Sequence, residues 1–396
     1  MKKTIRELQT VQVSDLCRRK LLNYADGLYE LARNCDCEET PPDINEDRQK
    51  LIWEGRLREN RLVMKYHFRE MAKIMTETAC EVHCLRPLET RKAKMICRLL
   101  PAEGILAENP CCIVRDDGSE TIAVTMSLLP RLRNRNQFTA GDAADMIGVI
   151  LNRRLLLSGE CPLAITEEPH TFLLEPEPDF VYMTGFAKGT KEGETVSGDT
   201  YSVFEPACGK VVSVLSDGTG AGEKAGETSG QVIEMLEKFL EAGYGTEAAI
   251  QMLNSTFFLL GEDDNHPTLD ICELDLYTGL CEIRKVGGAA SFVKSGSNVE
   301  KLMNAALPLG IFRKTAAEPI TRYLQDGDYL IQVTDGVVDA FGEQAYEDAM
   351  CNLLSGMRAL NPTEMAEKIL RSALYACGGH VRDDMTVGVI GFWERK

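Results

Sequence analysis

Apolar residues recur along this chain in two rhythms, and the change of rhythm divides it. Between residues 4 and 35, Leu8, Val11, Leu16, Leu21, Leu22, Tyr24, Leu28, Tyr29 and Leu31 return between polar neighbours at helical spacing, which predicts one or two amphipathic helices. Residues 39–46 interrupt that pattern, because Pro41 and Pro42 with flanking acids neither continue a helix nor bury much surface. From residue 47 to about 79 it resumes with Leu51, Leu57, Leu62, Met64, Phe68, Met71, Ile74 and Met75. That stretch reads as one long helix, either a pairing element between two chains or a plain core helix.

Beyond Pro87 the rhythm shortens toward two. Cys111 to Arg115 and Thr121 to Met126 are β-rich runs separated by Asp116-Asp117-Gly118, the signature of a hairpin. Thr139 then stands where a helix cap belongs, ahead of Ala143, Met146, Ile147, Val149 and Ile150, and the helix is expected to run to Leu155. Residues 88–160 thus form a small α/β fold without a catalytic constellation. Arg131-Leu-Arg-Asn-Arg-Asn136 is a basic loop read as solvated surface.

After a second break at Glu175-Pro-Glu-Pro178, strands carry acids at their ends. Thr195 to Phe204 contains Asp199, Pro206 to Gly209 turns, and Lys210 to Ser216 runs into Asp217. Paired as an antiparallel hairpin, these strands bring Asp199 and Asp217 to the same rim. Downstream, Tyr329 to Thr334 runs into Asp335-Gly336, and Asp383-Asp384 precede the strand Met385 to Phe392. Each Asp-Gly alone is an ordinary turn dipeptide. Jointly, the pattern gathers Asp199, Asp217, Asp335 and Asp383 on one edge, with Asp217 central.

Carboxylates held that close repel unless a proton or a cation lies between them. All-oxygen ligation suits magnesium or manganese rather than zinc, and no His-x-x-x-His pair competes for the role. Two such ions sharing one aspartate can activate a water and stabilise phosphate oxygens. The charge distribution agrees with this. Residues 1–170 hold 26 basic and 26 acidic side chains, so the net charge of −17 lies wholly in residues 171–396. A surface of that sign repels nucleic acid, which disfavours a metal-dependent nuclease.

With 44% hydrophobic and 27% charged residues among 396, the composition is that of a globular protein of two or three domains. No apolar run is long enough for a membrane span, and Met1-Lys-Lys-Thr-Ile-Arg lacks a signal-peptide core, so a cytoplasmic location is expected. Fourteen scattered cysteines suit a reducing compartment. Cys35 with Cys37, Cys80 with Cys84, and Cys111 with Cys112 cluster without the spacing of a zinc or iron-sulfur site, and read as buried apolar residues or loop thiols.

Seven motifs carry a resemblance across the C-terminal half: Ser197-Gly-Asp199, Ser216-Asp-Gly-Thr-Gly-Ala-Gly222, Thr268-Leu-Asp270, Lys285-Val-Gly-Gly288, Leu307-Pro-Leu-Gly310, Thr334-Asp-Gly336 and Asp383-Asp-Met-Thr386. Residues from about 180 to 396 resemble the metal-dependent protein phosphatases of the protein phosphatase 2C class. They look closest to the bacterial branch typified by the phosphatase of stage II sporulation protein E. Cys17-Arg-Arg-Lys-Leu-Leu-Asn-Tyr resembles the regulatory region of that branch more loosely.

The resemblance implies an α+β fold, a sandwich of two antiparallel sheets flanked by helices and preceded by a helical and α/β regulatory region. Three segments are expected: a helical regulatory or dimerisation segment, 1–86; a small α/β regulatory domain, 87–172; and the phosphatase domain, 173–396. It implies two divalent cations, Mn2+ or Mg2+, bridged by Asp217 and touched by the Gly218 carbonyl. Asp335 and Asp383 would complete the other shell and Asp199 would hold water on the metal. Asp384 and Thr219 would stand behind these ligands, and Asp270 would be structural. The substrate implied is a phosphoserine or phosphothreonine protein, an anti-sigma-factor antagonist of the STAS type. A homodimer through the N-terminal helices, and a switch acting on the helix after Gly222, are also implied.

Two departures are visible. Eukaryotic members place a histidine after the Asp-Gly pair and an arginine before the first acidic motif, whereas this chain has Thr219 and Glu194. A general acid and a phosphate clamp of that kind are therefore not identifiable. The rival reading is a catalytically silent scaffold that keeps the fold and binds partners.

Overall fold

The computed structural model describes residues 19–35, 48–81, 85–114, 120–129, 139–159, 161–260, 266–303, 306–312, 318–342, 346–358 and 361–395. The proline break at 39–46, the basic loop at 131–136, Cys37 and Cys84 lie outside them. Contacts divide the chain into two units, residues 1–36 with 67–177 and residues 37–66 with 178–396. Among the described residues no helix is long and apolar enough to cross a membrane.

The chain begins with helices α1 (19–34) and α2 (Arg48–Glu81), so the expected long helix is continuous. The helical period is as expected, but the residues it buries are small: Ala25 and Ala32 in α1, Ala72 and Ala79 in α2. Tyr24, Leu31, Leu57, Leu62, Met64 and Met71 are exposed. Seven-residue spacing of alanines marks the packed stripe, a signal hidden by the larger apolar residues around it.

The first unit continues through β1 (Leu85–Pro87), α3 (Thr90–Leu99), β2 (Ile105–Val114), β3 (Glu120–Leu128), α4 (Ala140–Leu151), β4 (Leu155–Leu157) and β5 (His170–Pro176). Its sheet has the order β1-β2-β3-β5-β4 with antiparallel pairing throughout. The expected hairpin is β2–β3. Thr139 caps α4 as expected: its hydroxyl accepts from Asp142 N at 3.1 Å while the Asp142 carboxylate accepts from Thr139 N at 2.8 Å. The helix ends four residues earlier than its apolar pattern suggests. Asn152 adopts a left-handed φ of 57° there, and Leu155 opens β4 instead. Ile96, Ile147, Phe172 and Leu174 close the core between α3, α4 and the sheet, and Cys112 is buried in it as a small apolar residue.

The second unit holds β6 (Phe180–Gly189), β7 (Asp199–Ala207), β8 (Lys210–Asp217), α5 (Glu223–Glu241), α6 (Thr246–Leu260), β9 (Leu269–Asp275), β10 (Leu280–Val286), β11 (Ser291–Ser295), β12 (Asn298–Leu302), β13 (Ile320–Tyr323), β14 (Asp328–Val333), α7 (Asp335–Phe341), α8 (Tyr346–Gly356), α9 (Pro362–Ala376) and β15 (Met385–Glu394). Two antiparallel sheets form, ordered β13-β10-β9-β8-β7 and β12-β11-β14-β15-β6. Val211, Cys272, Leu274, Ile283, Leu330 and Phe392 meet in one apolar layer. Val212, Val214, Val232, Leu236 and Leu253 make a second layer under α5 and α6. Ile331, Val387, Val389, Met365 and Ile369 make a third, under α7 to α9. The α+β sandwich expected from the resemblance is present.

Strand parity explains why the acids end up where they do. Side chains alternate across a strand, so Val211 and Ser213 of β8 look between the sheets while Val212 and Val214 look at the helices. Continuing by twos, Asp217 leaves β8 on the inter-sheet side. The same count carries Leu330 and Gln332 to Thr334, and Phe392 and Ile390 back to Thr386 and Asp384.

Candidate metal and active site

Asp199 and Asp217 are register partners at the open end of β7 and β8, so the cross-strand pairing expected from sequence is present. The β14–β15 pair closes from the other sheet, with Val333 opposite Val387. Thr334 links the two sheets here: its Oγ1 donates to Asp199 Oδ2 at 3.0 Å and accepts from Thr386 N at 2.8 Å. Asp335 follows as the first residue of α7 rather than the last of the strand. Its charge is close enough to Asp217 to raise the pKa of that acid.

Burial and neighbouring negative charge act together on these acids. Asp217 is pushed up to about 9, first by loss of solvation and then by Asp335 and Asp199. Asp199 is raised to about 6, again chiefly by burial, with the hydroxyls of Thr386 and Thr334 offsetting part of the rise. Asp335 is raised by loss of solvation as well. Asp199 Oδ1 is buried and accepts no hydrogen bond. A buried carboxylate oxygen without a donor costs several kcal/mol unless something positive faces it, roughly by the transfer scale for polar groups.

Asp383 and Asp384 part ways. Asp384 is 3% exposed, and its two oxygens accept from Gly198 N at 2.7 Å and Lys191 N at 2.9 Å. It ties the segment before Asp199 to the start of β15. Asp383 is half exposed and faces Lys191 Nζ at 3.7 Å. Thr219 accepts from the backbone N of His266 at 2.7 Å.

The two Asp-Gly dipeptides do not act as turns. Neither glycine has positive φ, and a Cβ on Gly218 would lie 2.2 Å from the Ala225 carbonyl, one on Gly336 2.2 Å from the Asp384 carbonyl. Glycine is present because another backbone passes against it. Through Ala225 the first turn of α5 therefore rests on Gly218. Ser229, on the same helix, donates to Gly198 O at 2.7 Å.

Three residues that sequence reasoning did not assign complete the surroundings. Thr268 pins Asp217 from the adjacent strand: Asp217 N donates to Thr268 Oγ1 at 3.2 Å and Thr268 N to Asp217 O at 2.9 Å. Lys188, a single lysine in the apolar strand β6, donates from Nζ to Asp199 O at 2.6 Å. Burial lowers its ammonium pKa, and Asp199 and Asp384 offset part of that. His266 lies against Thr219. Thr268 opens one of the seven motifs and could have been flagged; Lys188 and His266 carry no motif signal. Asp270, by contrast, lies away from the acids in a buried pair with Lys285 at 2.6 Å, where Ser291 also bonds it.

Oxygen donors and an orphaned carboxylate oxygen fit hard divalent cations. Among the described residues no three His, Cys, Asp or Glu side chains close on one point.

Residues 208–393 match the family described as stage II sporulation protein E (SpoIIE). The chain is 35% identical over 208 residues to stage II sporulation protein E of Bacillus subtilis (strain 168), covering 52% of this chain and 25% of that protein. It is 33% identical over 211 residues to the protein of the same name from Priestia megaterium, covering 53% and 36% respectively. The chain thus spans well under half the length of these relatives. Among solved structures it is similar to the PP2C phosphatase domain with a fragment of the regulatory domain of the cell-fate determinant SpoIIE from Bacillus subtilis. That match has a TM-score of 0.65 and 25% identity, over 88% of this chain and 98% of that one.

Proposed function

We propose, from a C-terminal region that belongs with the stage II sporulation protein E phosphatases of the protein phosphatase 2C class, that this chain hydrolyses phosphoserine or phosphothreonine on a protein. The observation that carries the reading is the pairing of Asp199 with Asp217 in register at the end of β7 and β8, with the charges of Asp335 and Asp383 close enough to raise the pKa of Asp217. Asp217 as the central ligand, with the Gly218 carbonyl, Asp335 and Asp383, would hold a pair of Mg2+ or Mn2+ ions, and Thr334 orients Asp199. Bound there, the ions would activate water and neutralise phosphate charge. The chain's own residues hold the geometry: Thr268 fixes Asp217, Lys188 and Thr334 fix Asp199, and Asp384 ties down the segment before Asp199.

The substrate we assign is a phosphorylated anti-sigma-factor antagonist of the STAS type, supported by the family resemblance. Residues 1–172 would regulate the site, in a homodimer through the N-terminal helices. Support for coupling comes from α5, whose first turns rest on Gly218 and bond Gly198. Phosphate release from a phosphoserine peptide and from p-nitrophenyl phosphate, with manganese and with chelator, tests the activity. Manganese-dependent release from both is expected. None from either, even with a phosphorylated STAS protein, would leave the silent scaffold as the better reading.

A further inference from the structure

A phosphoserine is close to doubly negative near neutral pH, and residues 171–396 carry the whole net charge of −17, so this domain opposes the approach of its own substrate. A cation at the rim removes that opposition where it matters. We propose that Lys191 is that cation and binds the phosphate of the substrate, a claim that rests on the phosphatase reading above.

The loop that carries Lys191 is fastened to the acids. Lys191 N donates to Asp384 Oδ1 at 2.9 Å, and Lys191 O accepts from Glu194 N at 3.1 Å across a turn in which Gly193 has a φ of 92°. The next residue extends the attachment. Glu192 N donates to Val381 O at 3.0 Å, and Glu192 Oε1 lies 3.2 Å from His380 Nδ1. The backbone of Lys191 is thus fixed at both its polar groups, while its four-carbon side chain can swing.

That side chain already borders the cluster. Nζ lies 3.7 Å from Asp383 Oδ1, and the charge of Asp383 reaches both Asp217 and Asp335. The Lys191 side chain is 38% exposed and that of Asp383 46%, and a pair so exposed adds little to stability. A lysine that serves the fold is held otherwise: Lys285 is fully buried and donates to Asp270, Ser291 and Ala289 O. Two other basic groups near the acids are committed elsewhere, Lys188 to Asp199 O and His380 to Glu192. Glu194 turns its carboxylate to the start of α5, where a Cβ on Gly222 would lie 2.6 Å from Oε2.

A phosphate entering beside Asp383 offers the ammonium a doubly charged acceptor in place of a singly charged one. Lys191 turns from Oδ1 to a phosphate oxygen with its backbone unmoved, donating a charge-assisted hydrogen bond.

The test uses the full chain with manganese, a phosphoserine peptide as substrate and inorganic phosphate as the competing ligand. Lys191→Met is expected to lower kcat/KM on the peptide and to weaken inhibition by inorganic phosphate in parallel, each roughly 10-fold, the lower end of what a hydrogen bond to a charged group contributes. Lys191→Arg should restore most of both. Arg382→Gln removes the same charge from an exposed position next to Asp383 and should change neither by more than about two-fold, because a charge out of contact is screened. The manganese concentration that gives half the maximal rate should not rise in Lys191→Met. A loss that extra manganese restores would make Lys191 a support for Asp383 and overturn the proposal. Equal losses in Lys191→Met and Arg382→Gln, or phosphate inhibition unchanged by Lys191→Met, would overturn it as well. A wild-type chain inactive on the peptide would remove the phosphatase reading, and this proposal with it.

Discussion

Two groups of carboxylates lie in the same sandwich and meet opposite fates. Asp270 sits in the interior, 4% exposed, with Lys285 Nζ at 2.6 Å and Ser291 Oγ at 2.6 Å on the same oxygen. Lys285 also donates to Ala289 O, and Gln332 donates to Asp270 O while accepting from Ser213 across the two sheets. Asp199 is buried, Asp217 partly buried and Asp335 exposed, and among the described residues none of their carboxylates has a lysine or arginine bonded to it; Thr334 bonds Asp199 Oδ2, and Lys188 reaches only the Asp199 main-chain carbonyl. An acid neutralised by its own protein is a strut, whereas acids crowded by like charge are prepared for a cation from outside. Both sets arise from aspartates at or near strand ends. What separates them is a lysine on the neighbouring strand, since Asp270 pairs in register with Lys285.

Breaking the strut should have the largest effect. Lys285→Met leaves Asp270 buried and alone, which is expected to cost about 3–5 kcal/mol, read by chemical denaturation. The double variant with Asp270→Asn should recover most of that loss. If the single variant is as stable as the parent, the interior pair is not a strut.

Asp217→Asn should do the reverse. Manganese-dependent turnover is expected to fall on the order of 10³-fold or more, since the shared ligand of the activating charge is gone. The metal-free domain should stay folded by circular dichroism, because a neutral amide replaces a carboxyl of the same shape that holds its proton without metal. A variant that keeps turnover would deny Asp217 its role.

The protons themselves give a third contrast. Asp217 at about 9 and Asp199 at about 6 both lie above the ordinary 3.8, so the folded metal-free domain binds protons that the unfolded chain releases. This contribution to stability is complete below about pH 4 and is lost as pH rises through 6 and then 9. Melting temperature without metal should therefore fall between pH 6 and 9, and saturating manganese should flatten the slope. A metal-free slope of the opposite sign would count against the raised pKa of Asp217 and Asp199.

Thr334→Val should have the smallest effect. It removes the hydroxyl on Asp199 Oδ2 and the acceptor for Thr386 N, at a cost of about 1–3 kcal/mol. Turnover should drop several-fold, with folding retained by circular dichroism. No change in either would show that Asp199 needs no bond from the facing sheet.

Much of this was legible along the chain. Thr139 announces its helix because a cap is a local matter of one side chain and the backbone three residues on. The rim acids were legible because strand periodicity and antiparallel pairing together fix which ends meet. Leu155 misled because apolar spacing does not register a left-handed Asn152. The packed stripe of the first two helices was masked by larger residues that remain exposed.

By itself the sequence determined the strands, their acidic ends and hence the gathering of Asp199, Asp217 and Asp335, since alternation by twos and short hairpins leave little choice. Only the tertiary structure decided which acids go without a counter-charge. It also showed why Gly218 and Gly336 are glycine, and which residues, Lys188 and Thr268, bond the backbone of Asp199 and Asp217. Those outcomes depend on which backbone passes within 3 Å of which, a distance set by the packing of two sheets and not by neighbours in the chain.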